Sequence, residues 1–255
     1  MANVMNLLLN KYEIFLIVLV RVSGIFVISP FFSSQNISNT VKVGLTVFIS
    51  VIMTLMLDIE LKALEISPII LVIKELITGM IIGFICYLFF STFYTLGQIV
   101  DMSMGFGMVN VVDPQNRIQV PLMGNFYYFL ALYILFGING HHVIIRALAD
   151  SYKFIPIGTF DLSKNIAFFL IEILAKTFAI GFMLSTPIII SIFLLDLVLG
   201  ILVRTMPQMN VFVVGLPLKI LIGLFVIIIT VPIFNSIVSN LINIMSDRIY
   251  EFLRF

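Results

Sequence analysis

Two adjacent histidines, and a serine near an aspartate, are the side chains of this sequence that come closest to a catalytic or metal-binding pattern. His141 and His142 are neighbours rather than four residues apart, and no carboxylate or thiol beside them completes a zinc set. Asp101 and Ser103 have no histidine at plausible reach to activate a nucleophile. We expect no catalysis and no bound metal, and interpret the histidine pair as a helix start at a membrane boundary.

Nucleotide-binding motifs are incomplete or missing in the sequence. Gly105 and Gly107 form a G-x-G, but the third glycine, the preceding strand and the following acidic residue of a dinucleotide site are missing. No G-x-x-x-x-G-K-[ST] loop occurs, so the chain does not hydrolyse ATP through that motif. The sequence therefore predicts a protein that is not an enzyme and that needs no cofactor.

Composition assigns the chain to the membrane. Of its 255 residues 61% are hydrophobic and 11% are charged, and the mean hydropathy is +1.20. A soluble domain has about 25% charged residues, and no single soluble core could cover this much apolar surface. The net charge of +1 predicts no nucleic-acid surface, and the single Cys86 excludes an intramolecular disulfide. We predict an integral membrane protein or a subunit buried in a membrane-associated assembly.

Apolar stretches separated by polar turns predict an all-α fold. The expected helices cover residues 12–32, 41–57, 68–96, 120–138, 139–154, 163–203 and 211–253. The last two are about 40 residues long and would each span about 60 Å, twice the hydrocarbon thickness. Pro187, Pro217 and Pro232 are expected to kink them. Part of this hairpin must therefore pack against protein or project beyond the bilayer, while lysine and arginine counts over six crossings favour cytoplasmic termini.

Charges within the long hairpin predict how its two helices pair. If the chain folds back at Pro207 and Gln208, Asp196 lies opposite Lys219. An isolated charge in a bilayer is costly, whereas a paired charge that faces protein is tolerable. We therefore expect Asp196 and Lys219 to approach within salt-bridge distance.

Small and amide residues predict close packing between helices. The Gly79-x-x-x-Gly83 spacing is typical of a helix-packing face. Gln208 and Asn210 are amides in an apolar setting, where such groups tend to bond to other helices. This pattern indicates an assembly, and a channel lining is the alternative interpretation.

Residues 97–125 differ from the apolar helices on either side because they are rich in glycine and methionine. Glycine disfavours a long regular helix, and methionine fills irregular apolar gaps. The stretch is too apolar for an ordinary water-exposed loop, with Phe106 and Val111 among its members. We interpret it as a deformable apolar element that packs into or against something, with a plain connecting loop as the alternative.

Four motifs in the right order resemble the FliR family of flagellar biosynthesis proteins. The most specific is the run RTMPQMNVFVVGLPLKI at residues 204–220, with the signature turn Met206, Pro207, Gln208, Met209 and Asn210. The others are SPFFSSQNI at 29–37, MGFGMVNVVDP at 104–114 and NGHH at 139–142. The resemblance covers nearly the whole chain, and the flagellar branch fits better than the injectisome homologues.

The resemblance implies a core subunit of the flagellar type III export gate, assembled with FliP, FliQ and an adjoining FlhB-type protein in the bacterial inner membrane, at the flagellar basal body. It implies a FliP-like part at residues 1–160, with a central plug loop at 97–125, followed by a FliQ-like helical hairpin at 161–255. Unfolded flagellar proteins are the implied cargo. The family's central loop plugs the closed pore, and the matching positions are Gly105, Phe106, Gly107, Met108, Val109, Asn110 and Val111.

Three other interpretations remain open from the sequence. The chain could be an injectisome export-gate homologue. A stand-alone permease would need a polar cluster at mid-membrane formed by broken helices, and no inverted repeat is evident. A purely structural basal-body protein would have no contact with a pore.

Overall fold

The computed structural model describes residues 2–30, 32–33, 37–56, 67–108, 121–161, 164–206 and 210–255. This described part contains α-helices and no strand. The helices are α1 Ala2–Ile28, α2 Asn39–Met56, α3 Pro68–Met104, α4 Leu122–Gly137, α5 Gly140–Phe154, α6 Lys164–Thr205 and α7 Val211–Phe252, with a 3-10 turn at Phe106–Met108. The predicted all-α fold class is confirmed.

Four of these helices are long and apolar enough to cross a membrane within the described ranges: α2, α3, α6 and α7. The broken pair α4 and α5 would make a fifth crossing if it is counted as one span. The six crossings that the charge count assumed stay a prediction, since this count covers only the described residues. α6 and α7 have 42 residues each, and each helix continues through its internal prolines.

The predicted end of the third helix is wrong. The sequence interpretation ended it near Leu96, because Gly97 disfavours a helix, yet α3 continues to Met104. An interior glycine costs about 1 kcal/mol relative to alanine, which tertiary packing readily offsets. Gly97 is retained inside the helix because another helix packs directly on it, as described below.

The chain divides into two compact units. Unit 1 comprises Met1–Phe89, Asn139–Ile173 and Ile242–Phe255, and unit 2 comprises Phe90–Ile138 and Leu174–Leu241. Each unit combines segments from both sides of residue 160. The units therefore do not coincide with the FliP-like and FliQ-like parts that the resemblance implies, and that division stays a prediction.

Glycines bring α1 and α3 into close contact in unit 1. A Cβ on Gly79 would overlap the carbonyl oxygen of Arg21, and one on Gly83 would lie 3.1 Å from that of Ile25. From the other side, a Cβ on Gly24 would lie 2.7 Å from the Leu76 carbonyl oxygen. The predicted Gly79-x-x-x-Gly83 packing face is therefore confirmed, with α1 as its partner.

A buried ionic network lies beside this crossing. Arg21 and Glu75 are fully buried, and Arg21 Nε donates to Glu75 Oε2 at 2.6 Å. The same guanidinium donates to Ser151 Oγ and to the carbonyl oxygen of Ile155, both at 3.0 Å. Glu75 Oε1 accepts the Gly158 N–H at 2.9 Å. The network joins α1, α3, α5 and the turn that follows α5.

Unit 2 has an aromatic core. Phe234 of α7 packs against Phe93 of α3 and Tyr127 of α4, each with ring centroids 5.4 Å apart. Gly181 allows α6 to approach α3, since a Cβ there would lie 2.9 Å from the Thr92 carbonyl oxygen. The end of α3 is therefore enclosed by α4, α6 and α7 within this unit.

Candidate functional site

The central loop predicted at 97–125 is shorter in the structure, because residues 97–104 belong to α3 and residues 122–125 belong to α4. We call the segment between the two helices, residues 105–121, the central loop. It begins and ends at helices that touch each other. A Cβ on Gly97 of α3 would overlap the backbone of Met123 and Gly124 in the first turn of α4. Only glycine fits at this contact, since any side chain would push the two helices apart. The two ends of the central loop are therefore held close together by backbone contact.

Asp101 adds a polar clamp to the same place. Its side chain lies in the last turn of α3 and is 6% exposed. The carboxylate accepts the Met123 N–H at 3.0 and 3.1 Å and the Gly124 N–H at 3.3 Å. The first N–H groups of a helix have no partner within the helix, and α4 has no side-chain cap of its own from Pro121. Asp101 supplies the acceptor, and the bond is strengthened by its charge.

Beyond Asp101, α3 ends against α7. Met104 is fully buried, and a Cβ on Gly223 would lie 2.6 Å from its Cε atom. Gly105 then terminates the helix with a φ of +88°, a backbone conformation that glycine adopts without strain. A Cβ on Gly105 would also lie 2.7 Å from Leu216 Cδ2. We call Gly97, Asp101, Met104, Met123 and Gly124 the loop base.

The sequence matches the family of bacterial export proteins, family 1, over residues 12–245. It is 34% identical over 254 residues to the flagellar biosynthetic protein FliR of Bacillus subtilis strain 168, covering 98% of each chain. This chain belongs to the FliR family. It is also 28% identical over 238 residues to FliR of Escherichia coli K12, covering 91% of each chain.

A second branch of relatives is represented by the surface presentation of antigens protein SpaR of Shigella flexneri. The identity is 28% over 229 residues, with 86% of this chain and 87% of SpaR covered. Together with the apolar helices of membrane-span length, these relatives make the FliR-family chain a membrane-embedded component of a bacterial type III export apparatus.

The predicted plug residues of the FliR-family chain begin directly at the loop base. Gly105 forms the turn that ends α3, and Phe106 is half-buried in the following 3-10 turn. Gly107 is exposed, and a Cβ there would meet nothing within 4 Å. Met108 ends the 3-10 turn, and Val109, Asn110 and Val111 lie outside the described residues. The plug role of these residues stays a prediction.

The predicted ion pair of the long hairpin is present in the structure. Lys219 Nζ lies 2.7 Å from Asp196 Oδ1 and 2.9 Å from Oδ2. The side chains are 25% and 45% exposed respectively, so the pair lies at the surface of unit 2. The register of α6 against α7 at this level is the one that folding at the signature turn requires.

The signature turn itself is described only at its margins. Met206 and Asn210 are exposed at the end of α6 and just before α7, while Pro207, Gln208 and Met209 lie outside the described residues.

At the start of α5, His141 and His142 have ring centroids 4.2 Å apart. No group of three or more histidine, cysteine or acidic side chains that could hold a metal occurs in the described ranges.

Sequence reasoning missed two groups that hold the site in place. It did not recognise Asp101 as the clamp, because the carboxylate and the Met123 N–H are 22 residues apart. The available signal was an acidic residue just before a glycine-rich stretch that leads to a helix start. It also did not pair Arg21 with Glu75, although two opposite charges in apolar helices predict a partner.

Proposed function

We propose that this FliR-family chain is a core subunit of the flagellar type III protein export gate and that, with FliP- and FliQ-type subunits and an adjoining FlhB-type protein, it forms the pore for flagellar proteins. The observation that carries the proposal is the loop base: a loop that begins with Gly105, Phe106 and Gly107 leaves from a close contact between two helices. Such a loop can close an opening without being part of the surrounding wall.

The loop base suits a gate because it fixes the two ends of the central loop. Gly97 and Gly124 hold α3 against α4, and Asp101 occupies the first N–H groups of α4. The chain then turns at Gly105, and Phe106 and Gly107 follow. Apolar side chains on this segment would exclude water and ions from the closed pore, while the glycines let it move aside for cargo.

The cargo and the energy source follow from the same proposal. Unfolded flagellar proteins pass through the pore, and the proton-motive force and a separate ATPase drive them. The apparatus lies in the bacterial inner membrane at the flagellar basal body. The chain itself provides the passage and its closure, and catalyses no reaction.

Copurification tests the assembly part of the proposal. A tagged chain is extracted from the membranes of flagellated cells with a mild detergent, and the associated proteins are identified by mass spectrometry. We expect a stable complex with FliP- and FliQ-type subunits. A chain that is recovered as a stable monomer under conditions that keep the other gate subunits together would contradict the proposal.

Ion leakage tests the gate part. We expect deletion of residues 105–111 to leave the complex assembled and to raise the permeability of the inner membrane to small ions. The control variant is Met102→Ala, which changes a side chain that is 78% exposed on α3 and leaves residues 105–111 in place. An assembled deletion complex with unchanged permeability would contradict a plug at these residues.

The SpaR relative favours one alternative, an injectisome export gate. The two functions differ in the proteins exported. We expect the chain to restore motility and the secretion of flagellar subunits in a cell that lacks its own FliR. Restoration of injectisome secretion alone would favour the alternative.

A further inference from the structure

An apolar groove lies between α1 and α2 in unit 1. Its volume is about 430 Å³. Leu19, Phe26 and Val27 of α1 form one wall, and Val43 and Val47 of α2 form the other. Val27 and Val43 are 64% and 62% exposed, so the groove opens to the surroundings of the unit. This volume falls within the range of ligand pockets, which is about 300–1,000 Å³.

Two hydroxyl groups along the groove, those of Ser23 and Thr46, are already used by the helices themselves. Ser23 Oγ donates to the Val20 carbonyl oxygen at 2.7 Å, and Thr46 Oγ1 donates to the Lys42 carbonyl oxygen at 2.8 Å. These side chains therefore present mainly carbon to the groove. A ligand that fills it is recognised by its apolar surface and not by a set of hydrogen bonds.

One charge lies at the groove. Lys42 Nζ donates to the Ser33 carbonyl oxygen at 3.0 Å, and no carboxylate pairs with it among the residues that the structure describes. An ammonium group has three N–H donors, so this contact leaves donors for an anion. The groove thus combines a long apolar surface with one cation that has no anionic partner in the described ranges.

The position of Lys42 along α2 indicates which anion is available. α2 is a candidate membrane span, and Lys42 is the fourth residue of its 18. A lysine near the end of a span lies at the level of the lipid headgroups, where phosphates are concentrated. The groove extends from there by about 7 Å to Val47 along α2 and covers about 12 Å of α1 from Val27 to Leu19.

We propose that this groove is a binding site for an anionic phospholipid, with the lipid phosphate at Lys42 and an acyl chain between Val27 and Val47. The proposal requires α2 to contact the bilayer and does not rest on the gate function. A helix of a neighbouring subunit is the competing occupant, and it would place protein and not lipid against Val43 and Val47.

Lipid retention by native mass spectrometry tests the proposal. The full chain, in complex with the subunits that copurify with it, is reconstituted in nanodiscs of phosphatidylcholine and phosphatidylglycerol and then released with detergent. We expect wild-type chain to retain phosphatidylglycerol. Lys42→Gln should lower the retention about fivefold, which corresponds to the ~1 kcal/mol that a basic residue gains at an anionic surface. Lys42→Arg should keep it.

Matched variants separate the site from general charge and folding effects. Lys153→Gln removes the same charge in unit 1 from a side chain that is 70% exposed, and should leave retention unchanged. Val47→Phe fills the groove while keeping Lys42, and should lower retention. Val41→Phe adds the same ring on α2 outside the lining and should not. Equal retention in wild type, Lys42→Gln and Val47→Phe would overturn the proposal.

A photo-crosslinking residue at position 43 decides between the two occupants in the assembled apparatus. After irradiation of intact membranes, a phospholipid adduct supports the lipid site. An adduct with a neighbouring subunit, and none with lipid, overturns it.

Discussion

Each unit has a buried acid that holds a backbone segment in place: Glu75 in unit 1 and Asp101 in unit 2. The two acids differ in whether a cation pairs with them. In unit 1, Glu75 accepts the Gly158 N–H and also pairs with the guanidinium of Arg21. In unit 2, Asp101 accepts the N–H groups of Met123 and Gly124. No cation pairs with Asp101 among the described residues.

We infer from this difference that the connection in unit 1 is the harder of the two to break. The Arg21 guanidinium makes contacts with Ser151 and the Ile155 carbonyl oxygen in addition to Glu75, and Tyr152 stacks on it at 4.2 Å. Removing Arg21 or Glu75 leaves the other buried charge unpaired. The Asp101 clamp consists of hydrogen bonds that one carboxylate accepts from two backbone N–H groups, so we expect it to be released at lower cost. A connection that is costly to break suits a scaffold, and one that is less costly to break suits the base of the proposed gate.

The largest expected effect comes from breaking the network of unit 1. Arg21→Met leaves Glu75 buried without its cation, and we expect unfolding to become easier by about 3–5 kcal/mol. Thermal denaturation of the purified complex in detergent measures this. The double variant Arg21→Met with Glu75→Leu should recover part of the loss, since no charge remains buried. If Arg21→Met is as stable as wild type, the distinction between Glu75 and Asp101 does not hold.

A smaller but still large effect is expected at the contact of α3 with α4. Gly97→Val places carbon atoms on the backbone of Met123 and Gly124, and overpacking of this kind costs about 1–3 kcal/mol. Limited proteolysis within the central loop should become faster, because the loop ends separate. Gly107→Val is the control, since a Cβ there meets nothing within 4 Å, and it should leave proteolysis unchanged.

Gly105→Ala should have an intermediate effect confined to the loop base. Its φ of +88° is disfavoured for alanine, at a cost of about 1–2 kcal/mol, and the added Cβ presses on Leu216. We expect the complex to assemble and export to slow, since the turn that starts the plug is strained. Secretion rates of flagellar subunits measure this. Export at the wild-type rate would show that this turn does not limit gating.

The smallest effect is expected at the surface ion pair of unit 2. Because Asp196 and Lys219 are partly exposed, Asp196→Ala should change stability by less than about 1 kcal/mol. The exchanged pair, Asp196→Lys with Lys219→Asp, should behave as wild type in thermal denaturation. A loss of stability as large as that of Arg21→Met would show that the Asp196–Lys219 pair is buried in the complex and contributes as much to stability as the Arg21–Glu75 pair.

The sequence predicted the elements whose signal is local. Long apolar runs predicted α6 and α7, the Gly79-x-x-x-Gly83 spacing predicted a packing face, and folding at the signature turn placed Asp196 opposite Lys219. These inferences need only helical geometry and the cost of an unpaired charge in lipid.

The contacts that hold the candidate site were not predictable in the same way. Arg21 and Glu75 are 54 residues apart, and their pairing depends on how α1 crosses α3. Gly97 was expected to end a helix, because propensity does not show that α4 packs on that residue. For Asp101 the only local signal is its place before a glycine-rich stretch, since the N–H groups that it binds follow the whole central loop.

The most direct test of the releasable clamp is the ion conductance of reconstituted complexes that carry Asp101→Ala. Loss of the carboxylate leaves the first N–H groups of α4 without an acceptor, at a cost of about 0.5–2 kcal/mol. We predict that the Asp101→Ala complex assembles and conducts ions, at a level between wild type and the complex that lacks residues 105–111. The control is Ser103→Ala, two residues further along α3. In the described part the Ser103 hydroxyl bonds to the Ile99 carbonyl oxygen at 2.9 Å, and we expect the Ser103→Ala complex to remain closed. An assembled Asp101→Ala complex as closed as wild type, beside a conducting deletion complex, would contradict the account.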